Sequence, residues 1–159
     1  MSTQITIYTD GASRGNPGPG GYGTVLISGK YRKELSEGYR LTTNNRMELL
    51  AVIKGLEVLK NKGSNVTVYS DSKYVVDAVE KKWVFNWEKK NYKGKKNSDL
   101  WKRFLVIYKK HSVKFIWIKG HANIPENERC DTLAVEASKK NNLEVDTGYE
   151  NTNSDNFLF

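Results

Sequence analysis

The sequence has few of the residues that build disulfide frameworks or histidine-based catalytic centres. Its 159 residues include one cysteine, Cys130, and two histidines, His111 and His121. A single thiol excludes a disulfide framework within the chain, and such a thiol more often packs on a helix than reacts. No serine stands in a nucleophile-elbow pattern, so a serine-based catalytic triad is also disfavoured.

Long hydrophobic stretches are absent too. No run is long enough to cross a bilayer, and residues 1–4 lead into a strand pattern without the features of a signal peptide. We therefore expect a cytoplasmic protein with no membrane partner. At 38% hydrophobic residues the chain can still bury a core, and its length predicts one domain, which we expect to be a monomer.

Negative charge is in the minority. The chain has 26 Lys and Arg against 18 Asp and Glu, a formal net charge of +8. Such an excess favours a polyanionic partner, nucleic acid before membrane.

Hydrophobic periodicity predicts five strands and four helices. The strands cover residues 5–8, 22–27, 34–41, 66–69 and 113–118, and residues 15–21 are predicted to be a glycine-rich loop. The first helix begins at residues 43–45, with Gly63 as its expected stop, and the second begins after the cap residue Ser72. The third helix begins at residue 100. The fourth begins at about residue 126 and ends near residue 140. Three hairpin-linked strands followed by strands that alternate with helices predict an α/β fold with a mixed five-stranded sheet, three strands antiparallel and then two parallel, and helices on both faces.

Four carboxylates occupy comparable places in separate segments. Asp10 and Asp71 come directly after predicted strands, where α/β sheets tend to bind ligands, and Glu48 and Asp131 lie in first turns of predicted helices. Four acids held together in a basic chain indicate bound cations, because such a cluster is electrostatically costly without them.

Each acid taken alone also has an ordinary structural explanation. Glu48 follows Asn45 at capping-box spacing, Asp71 precedes a helix whose dipole favours a carboxylate, and Asp131 can simply face solvent. The sequence alone does not decide whether the four meet.

Five segments, in order along the chain, resemble the bacterial type 1 ribonuclease H pattern. They are Tyr8-Thr9-Asp10-Gly11; Gly15-Asn16-Pro17-Gly18-Pro19-Gly20-Gly21; Thr42-Thr43-Asn44-Asn45-Arg46-Met47-Glu48-Leu49; Ser70-Asp71-Ser72; and Gly120-His121-Ala122 with Glu126-Asn127-Glu128-Arg129-Cys130-Asp131. The likeness runs from about residue 5 to residue 140, so we expect a ribonuclease H domain over residues 1–140.

The resemblance implies a ribonuclease H-like fold and a metal-dependent endonuclease. Its substrate would be the RNA strand of RNA–DNA hybrids, cut by in-line attack of a metal-activated water to give 5′-phosphate and 3′-hydroxyl ends. Asp10, Glu48, Asp71 and Asp131 would hold two Mg²⁺ ions, with Mn²⁺ as a substitute, at the roughly 3.5–4 Å separation of two-metal sites.

The same resemblance assigns further residues. His121 would carry protons near the scissile phosphate, although a loop histidine is more often a solvated surface residue. Asn16, Asn44 and Asn45 would contact the substrate, and Thr43 with Asn97 would hold a phosphate of the DNA strand, whereas asparagines at such positions also serve turns and caps. Lys73 stands where many relatives have glutamine, which puts one base contact in doubt and favours a phosphate contact.

Residues 81–96 carry seven lysines against one acid, Glu88. Lys81, Lys82, Lys89 and Lys90 are predicted to face phosphates, and Trp83 and Trp87 either to stack on nucleotides or to anchor the segment. The resemblance implies a shortened form of the family's basic protrusion.

Residues 141–159 contain no Lys or Arg and are acidic and rich in asparagine. We expect a disordered tail, with a docking peptide or an intramolecular competitor for the basic segment as alternatives.

Two other functions stay open at this stage. One is a DNA nuclease of the same fold, related to resolvases or transposases, and the other is a module that binds hybrids without cutting them.

Overall fold

The computed structural model describes residues 4–120 and 123–155, with side chains described up to residue 152. Over these ranges the strands are β1 (Gln4–Ser13), β2 (Gly18–Ser28), β3 (Tyr31–Thr42), β4 (Asn65–Ser70) and β5 (Ser112–Trp117). The helices are α1 (Asn44–Glu57), α2 (Lys73–Glu80), α3 (Trp83–Lys89), α4 (Ser98–Tyr108), α5 (Pro125–Ser138) and α6 (Thr147–Asp155).

The strands form one sheet in the order β3-β2-β1-β4-β5. β1, β2 and β3 pair antiparallel, whereas β4 pairs parallel with both β1 and β5. The predicted mixed sheet is therefore confirmed.

Adjacent residues of β2 show that helices cover both faces of the sheet. The Thr24 hydroxyl donates to the Ala51 carbonyl of α1 at 2.7 Å, while a Cβ on the neighbouring Gly23 would collide with the Cys130 carbonyl of α5. Because successive residues of a strand point to opposite faces, α1 and α5 lie on opposite sides. Gly23 lets α5 pack directly on the strand, and Cys130 is buried there, as expected of a packing thiol.

α1 begins as predicted and ends earlier than predicted. The Thr43 hydroxyl caps it by accepting from the Arg46 amide at 3.3 Å. The helix ends at Glu57, with Val58 as its C-cap, instead of continuing toward Gly63. One helix thus carries both Arg46 and Glu48 in its first turns, and both are buried.

β1 is longer than predicted, and the glycine-rich loop is shorter. Pairing with β2 continues to Ser13 and sets Asp10 opposite Gly23, whereas parallel pairing with β4 ends at Tyr8 and Tyr69. Only residues 14–17 lie between the two strands. Asp10 is therefore inside β1, at the level where its neighbour β4 reaches its end.

The C-terminal segment differs from the expected disordered tail. Glu144 bridges to β3 through backbone hydrogen bonds with Gly38 and Arg40, at 2.8 and 2.9 Å, and α6 follows. Two of its acids have arginine partners, because Asp146 bonds Arg46 and Glu150 bonds Arg40. The expectation of disorder rested on the acidic, asparagine-rich composition of the segment, which does not show that two of its acids pair with arginines elsewhere in the fold.

Within the described ranges, no helix has the length and apolar character needed to span a membrane.

Candidate active site and nucleic-acid interface

Three of the four predicted carboxylates meet at one point. Asp10 of β1, Glu48 of α1 and Asp71, the residue after β4, each offer an oxygen, and these oxygens lie within 4.8 Å of one another. The meeting point is the edge of the sheet where β4 ends, as the strand-end argument predicted.

Gly11 allows α1 to approach β1 this closely. A Cβ at this position would collide with the backbone nitrogen of Glu48 and would lie 2.8 Å from the Met47 carbonyl oxygen. The Gly11 amide also donates to Asp10 Oδ1 at 2.9 Å, which fixes the orientation of that carboxylate. The Asp10-Gly11 pair therefore sets both the position and the direction of the first acid.

Two of these acids, Asp10 and Glu48, have strongly raised pKa values. Burial, followed by the charge of Asp71, raises the pKa of Asp10 from 3.8 to about 7, even though a hydrogen bond with Glu48 opposes the shift. Burial, then the charges of Asp10 and Asp71, raise the pKa of Glu48 well above its ordinary value. Shared negative charge that the folded protein does not neutralise is a common feature of functional sites.

One oxygen of this cluster lacks a partner. Glu48 Oε1 is buried and accepts no hydrogen bond from any described residue. A buried acceptor without a partner is rare and costly in a folded protein. A divalent cation between the three carboxylates would satisfy that oxygen and compensate the charge, and hard carboxylate oxygens suit such ions. The residues present therefore fit a divalent metal.

The other two predicted catalytic residues are Asp131 and His121. Asp131, on α5, is not a member of the cluster of three, but its charge is among the causes that raise the pKa of Asp10. It is thus near enough to interact electrostatically. His121 lies outside the described residues, so its role stays a prediction.

Most of the predicted polar substrate contacts share one cavity, which we call the α1–α6 cavity. It has a volume of about 600 Å³. It is lined by Asn16, Thr43, Asn45, Asn97, Lys95 and Lys96, together with Arg46, Asp99 and, from α6, Gly148, Tyr149 and Thr152, among others. Asn44 joins this set through its amide, which donates to Asn16 Oδ1 at 3.0 Å.

Arg46, which lines the cavity, is buried and forms ion pairs with the buried Asp146 and the partly exposed Asp99. Its guanidinium donates to both oxygens of Asp99 and both oxygens of Asp146, at 2.7–2.9 Å. Burial alone would lower the pKa of Arg46, but these bonds outweigh it and raise that pKa, so the side chain stays charged. Arg46, Asp99 and Asp146 were not identified from the sequence. Asp146 directly before Thr147 is a helix N-cap signal that could have indicated α6.

The lysine-rich segment folds into α3 and the turns around it. Lys81, Lys82, Lys89 and Lys90 are all exposed, as phosphate contacts require. Trp83 is 45% exposed, whereas the Trp87 ring packs edge-on against Trp101 at 5.7 Å. Trp87 therefore anchors the segment, and Trp83 is available to a ligand.

Lys73 lies beside the acid cluster rather than in the cavity. It begins α2, and its Nζ sits 4.7 Å from the centre of the Trp117 ring. Trp117 in turn donates its indole N–H to the Asp71 carbonyl at 3.1 Å. Trp117 was not identified as a functional residue from the sequence either, because there it is only a residue near the end of a predicted strand.

Comparisons with known proteins agree with this geometry. The ribonuclease H family model matches residues 2–139. The ribonuclease H of Syntrophus aciditrophicus is 57% identical over 92% of this chain and 87% of its own, and that of Trichodesmium erythraeum is 56% identical over 93% and 97%. The crystal structure of LC9-RNase H1, a type 1 RNase H with the type 2 active-site motif, superposes with a TM-score of 0.79 at 30% identity, covering 96% of this chain and 81% of that one. The crystal structure of LC11-RNase H1 in complex with RNA/DNA hybrid gives 0.64 at 29% identity, covering 84% and 95%.

The chain belongs to the ribonuclease H family and is a hydrolytic nuclease. Within that family it falls among the bacterial type 1 enzymes.

Proposed function

We propose that this enzyme is an endonuclease that hydrolyses the RNA strand of RNA–DNA hybrids, leaving 5′-phosphate and 3′-hydroxyl ends. Two Mg²⁺ ions, replaceable by Mn²⁺, would be held by Asp10, Glu48 and Asp71 with Asp131 at the edge of the site. The observation that carries the proposal is the meeting of three carboxylates within 4.8 Å, one oxygen of which has no hydrogen-bond partner among the described residues.

The chain's own residues supply position and charge. When bound, divalent ions polarise a phosphate and lower the pKa of a coordinated water. Asp10 and Glu48 are 7% and 6% exposed, so water competes little for their oxygens. Trp117, by its hydrogen bond to the Asp71 carbonyl, positions the third acid. His121 is proposed to carry protons at the leaving group.

Hybrid binding would use two surfaces that, unlike the acid cluster, carry neutral polar groups or positive charges. Asn16, Thr43, Asn44, Asn45 and Asn97 bring amides and a hydroxyl to the α1–α6 cavity, which suits a DNA-strand phosphate. The exposed lysines around α3 and at the start of α2 would contact phosphates further along the duplex. The solved complex of LC11-RNase H1 with an RNA/DNA hybrid supports the same class of partner.

The test is a cleavage assay on three labelled duplexes of one sequence: RNA–DNA hybrid, RNA duplex and DNA duplex. With Mg²⁺ we expect only the RNA of the hybrid to be cut, with end analysis giving 5′-phosphates, and no cutting in EDTA. Asp10→Asn should lose cleavage by about 10³-fold or more and keep its affinity for the hybrid, since the carboxylate serves the metals. Asp77→Asn, an acid of α2 paired with Lys81, is the matched control and should cut normally.

Other outcomes would identify the alternatives. Cutting of DNA duplex with hybrid spared would indicate a resolvase-like or transposase-like nuclease, and binding without fragments would indicate a non-catalytic module. We also propose that the enzyme is cytoplasmic and monomeric. As a monomer it should give a mass near 18.2 kDa in light scattering.

A further inference from the structure

One side of the α1–α6 cavity is formed by residues that lie beyond the part of the chain matched by the family model. The match to the family model ends at residue 139, whereas Gly148, Tyr149 and Thr152 of α6 line the same cavity as Thr43 and Asn97. At about 600 Å³ the cavity is larger than a single phosphate needs and falls within the range of small-ligand sites. Part of the cavity is therefore available to groups next to that phosphate.

The approach of α6 to this cavity depends on Gly148. A Cβ there would collide with Asp99 Oδ2 and would lie 2.8 Å from Arg46 Nη2. The helix is also fixed at its start, because Asp146 accepts from Arg46 and from the Thr42 hydroxyl, the latter at 2.7 Å. The wall is thus built into the fold through buried contacts.

An acidic segment beside a nucleic-acid site needs an explanation, since carboxylates repel phosphates. The carboxylates of Asp146 and Glu150 are each bonded to an arginine, Arg46 and Arg40 respectively. Neither acid lines the cavity, whose α6 wall presents a glycine, a phenol and a hydroxyl, while Lys95 and Lys96 line it from another segment. Asp99, which also lines the cavity, accepts from Arg46 at both of its oxygens, so this carboxylate too is paired. The α6 wall therefore offers neutral groups in a cavity that also contains cations.

The two hydroxyl groups on this wall are not equivalent. Thr152 Oγ1 donates to the Gly148 carbonyl at 2.8 Å, so its proton is used within the helix. Tyr149 is half-buried, and its hydroxyl makes no hydrogen bond to another described residue. A phosphate oxygen only accepts hydrogen bonds, so it requires a free donor such as the Tyr149 hydroxyl.

We propose that α6 is part of the nucleic-acid interface and that Tyr149 donates its hydroxyl to the phosphate backbone of the DNA strand, next to the phosphate held by Thr43 and Asn97. This inference rests on the proposed function, because the cavity is assigned to the DNA strand there. Tyr149 is a binding residue in this scheme and takes no part in the chemical step.

Steady-state cleavage of an RNA–DNA hybrid tests the inference in the full-length enzyme. Tyr149→Phe removes one oxygen and keeps the ring, so we expect KM to rise by about tenfold, the range for a hydrogen bond to a charged group, with kcat unchanged. Tyr31→Phe is the matched control, because it removes the same oxygen from an exposed tyrosine outside the cavity, and it should leave KM unchanged. The melting temperature of Tyr149→Phe should equal that of the unaltered enzyme.

A second substrate separates a direct contact from a structural effect. When the DNA strand carries uncharged methylphosphonate linkages, the rise in KM caused by Tyr149→Phe should become smaller, because the remaining phosphoryl oxygen accepts a hydrogen bond that is no longer strengthened by charge. Equal KM values on the ordinary hybrid would overturn the inference while leaving the proposed function intact. An equal rise with Tyr31→Phe would overturn it as well, since the effect would then not depend on the position of the hydroxyl in the cavity. If the unaltered enzyme cuts neither hybrid, the proposed function fails and the inference with it.

Discussion

Two clusters of buried charge lie two residues apart on α1 and have opposite character. Arg46 meets Asp99 and Asp146, and all four of its charge-assisted bonds to these acids lie between 2.7 and 2.9 Å. Glu48 meets Asp10 and Asp71, with no cation in the group of three and one oxygen left without a partner. The first cluster is complete within the protein, and the second requires something from outside.

The difference shows how one helix can serve both stability and function. Opposite charges with satisfied hydrogen bonds hold elements together, here α1, α4 and α6. Like charges that are buried together lower the free energy of unfolding until a bound cation compensates them. We therefore expect changes in the two clusters to affect stability in opposite directions.

The largest effect should come from breaking the complete cluster. Arg46→Met leaves Asp146 buried without its cation and releases the start of α6, so we expect a loss of about 3–5 kcal/mol in the free energy of unfolding. Urea denaturation monitored by circular dichroism measures it. Arg103→Met is the control, because the Arg103–Glu57 pair is partly exposed and should contribute about 1 kcal/mol or less. Similar losses in the two variants would contradict the view that burial makes the Arg46 network important.

A smaller effect of opposite sign should follow from neutralising the incomplete cluster. The folded protein holds the Asp10 proton with a pKa of about 7, raised from 3.8, so metal-free stability falls as pH rises between those values. Asp10→Asn should therefore increase the free energy of unfolding at pH 8 in EDTA by on the order of 1–3 kcal/mol. The gain should vanish near pH 3, where the carboxyl is protonated in both states. Thermal unfolding against pH gives the measurement, and a loss of stability at pH 8 would contradict the assignment.

Part of this comparison could be predicted, because strand and helix periodicity put Asp10, Glu48, Asp71 and Asp131 where they could face one edge of a sheet, and the structure brings the first three together. Local pattern also gave the Thr43 segment as the start of α1, and the hydroxyl cap confirms it. These features depend on contacts between near neighbours or on regular strand order.

Other parts could not be predicted, because they depend on partners distant in sequence. The bonds between Arg46 and Asp146 span 100 residues, so nothing in the acidic composition of the C-terminal segment indicates that it docks. From the sequence, Trp117 is only an exposed residue near a strand end, and the hydrogen bond from its indole to the Asp71 carbonyl is evident from the structure alone. The continuation of β1 past Asp10 likewise depends on pairing with β2. The local sequence pattern predicts too short a strand where the strand is rich in glycine.

A metal titration sharpens the comparison at the incomplete cluster. Because Asp10 and Glu48 hold protons more tightly than ordinary carboxyls, Mg²⁺ must displace protons to bind near neutral pH. We expect apparent Mg²⁺ affinity to be about tenfold or more weaker at pH 5.5 than at pH 8. Calorimetry at pH 7 in two buffers of different ionisation enthalpy should show proton release. Identical heats in the two buffers would contradict the raised pKa values.

The smallest effect is expected at the lysine-rich surface, where charges are exposed and act on the substrate alone. Replacing Lys89 and Lys90 by glutamine should reduce the slope of log affinity against log salt for hybrid binding by about 0.9 for each phosphate contact removed. Stability should not change, because exposed lysines contribute little to it. Lys60→Gln with Lys62→Gln is the control, since these exposed residues follow the far end of α1 from Glu48. If the control pair lowers the slope equally, binding follows net charge rather than the surface around α3.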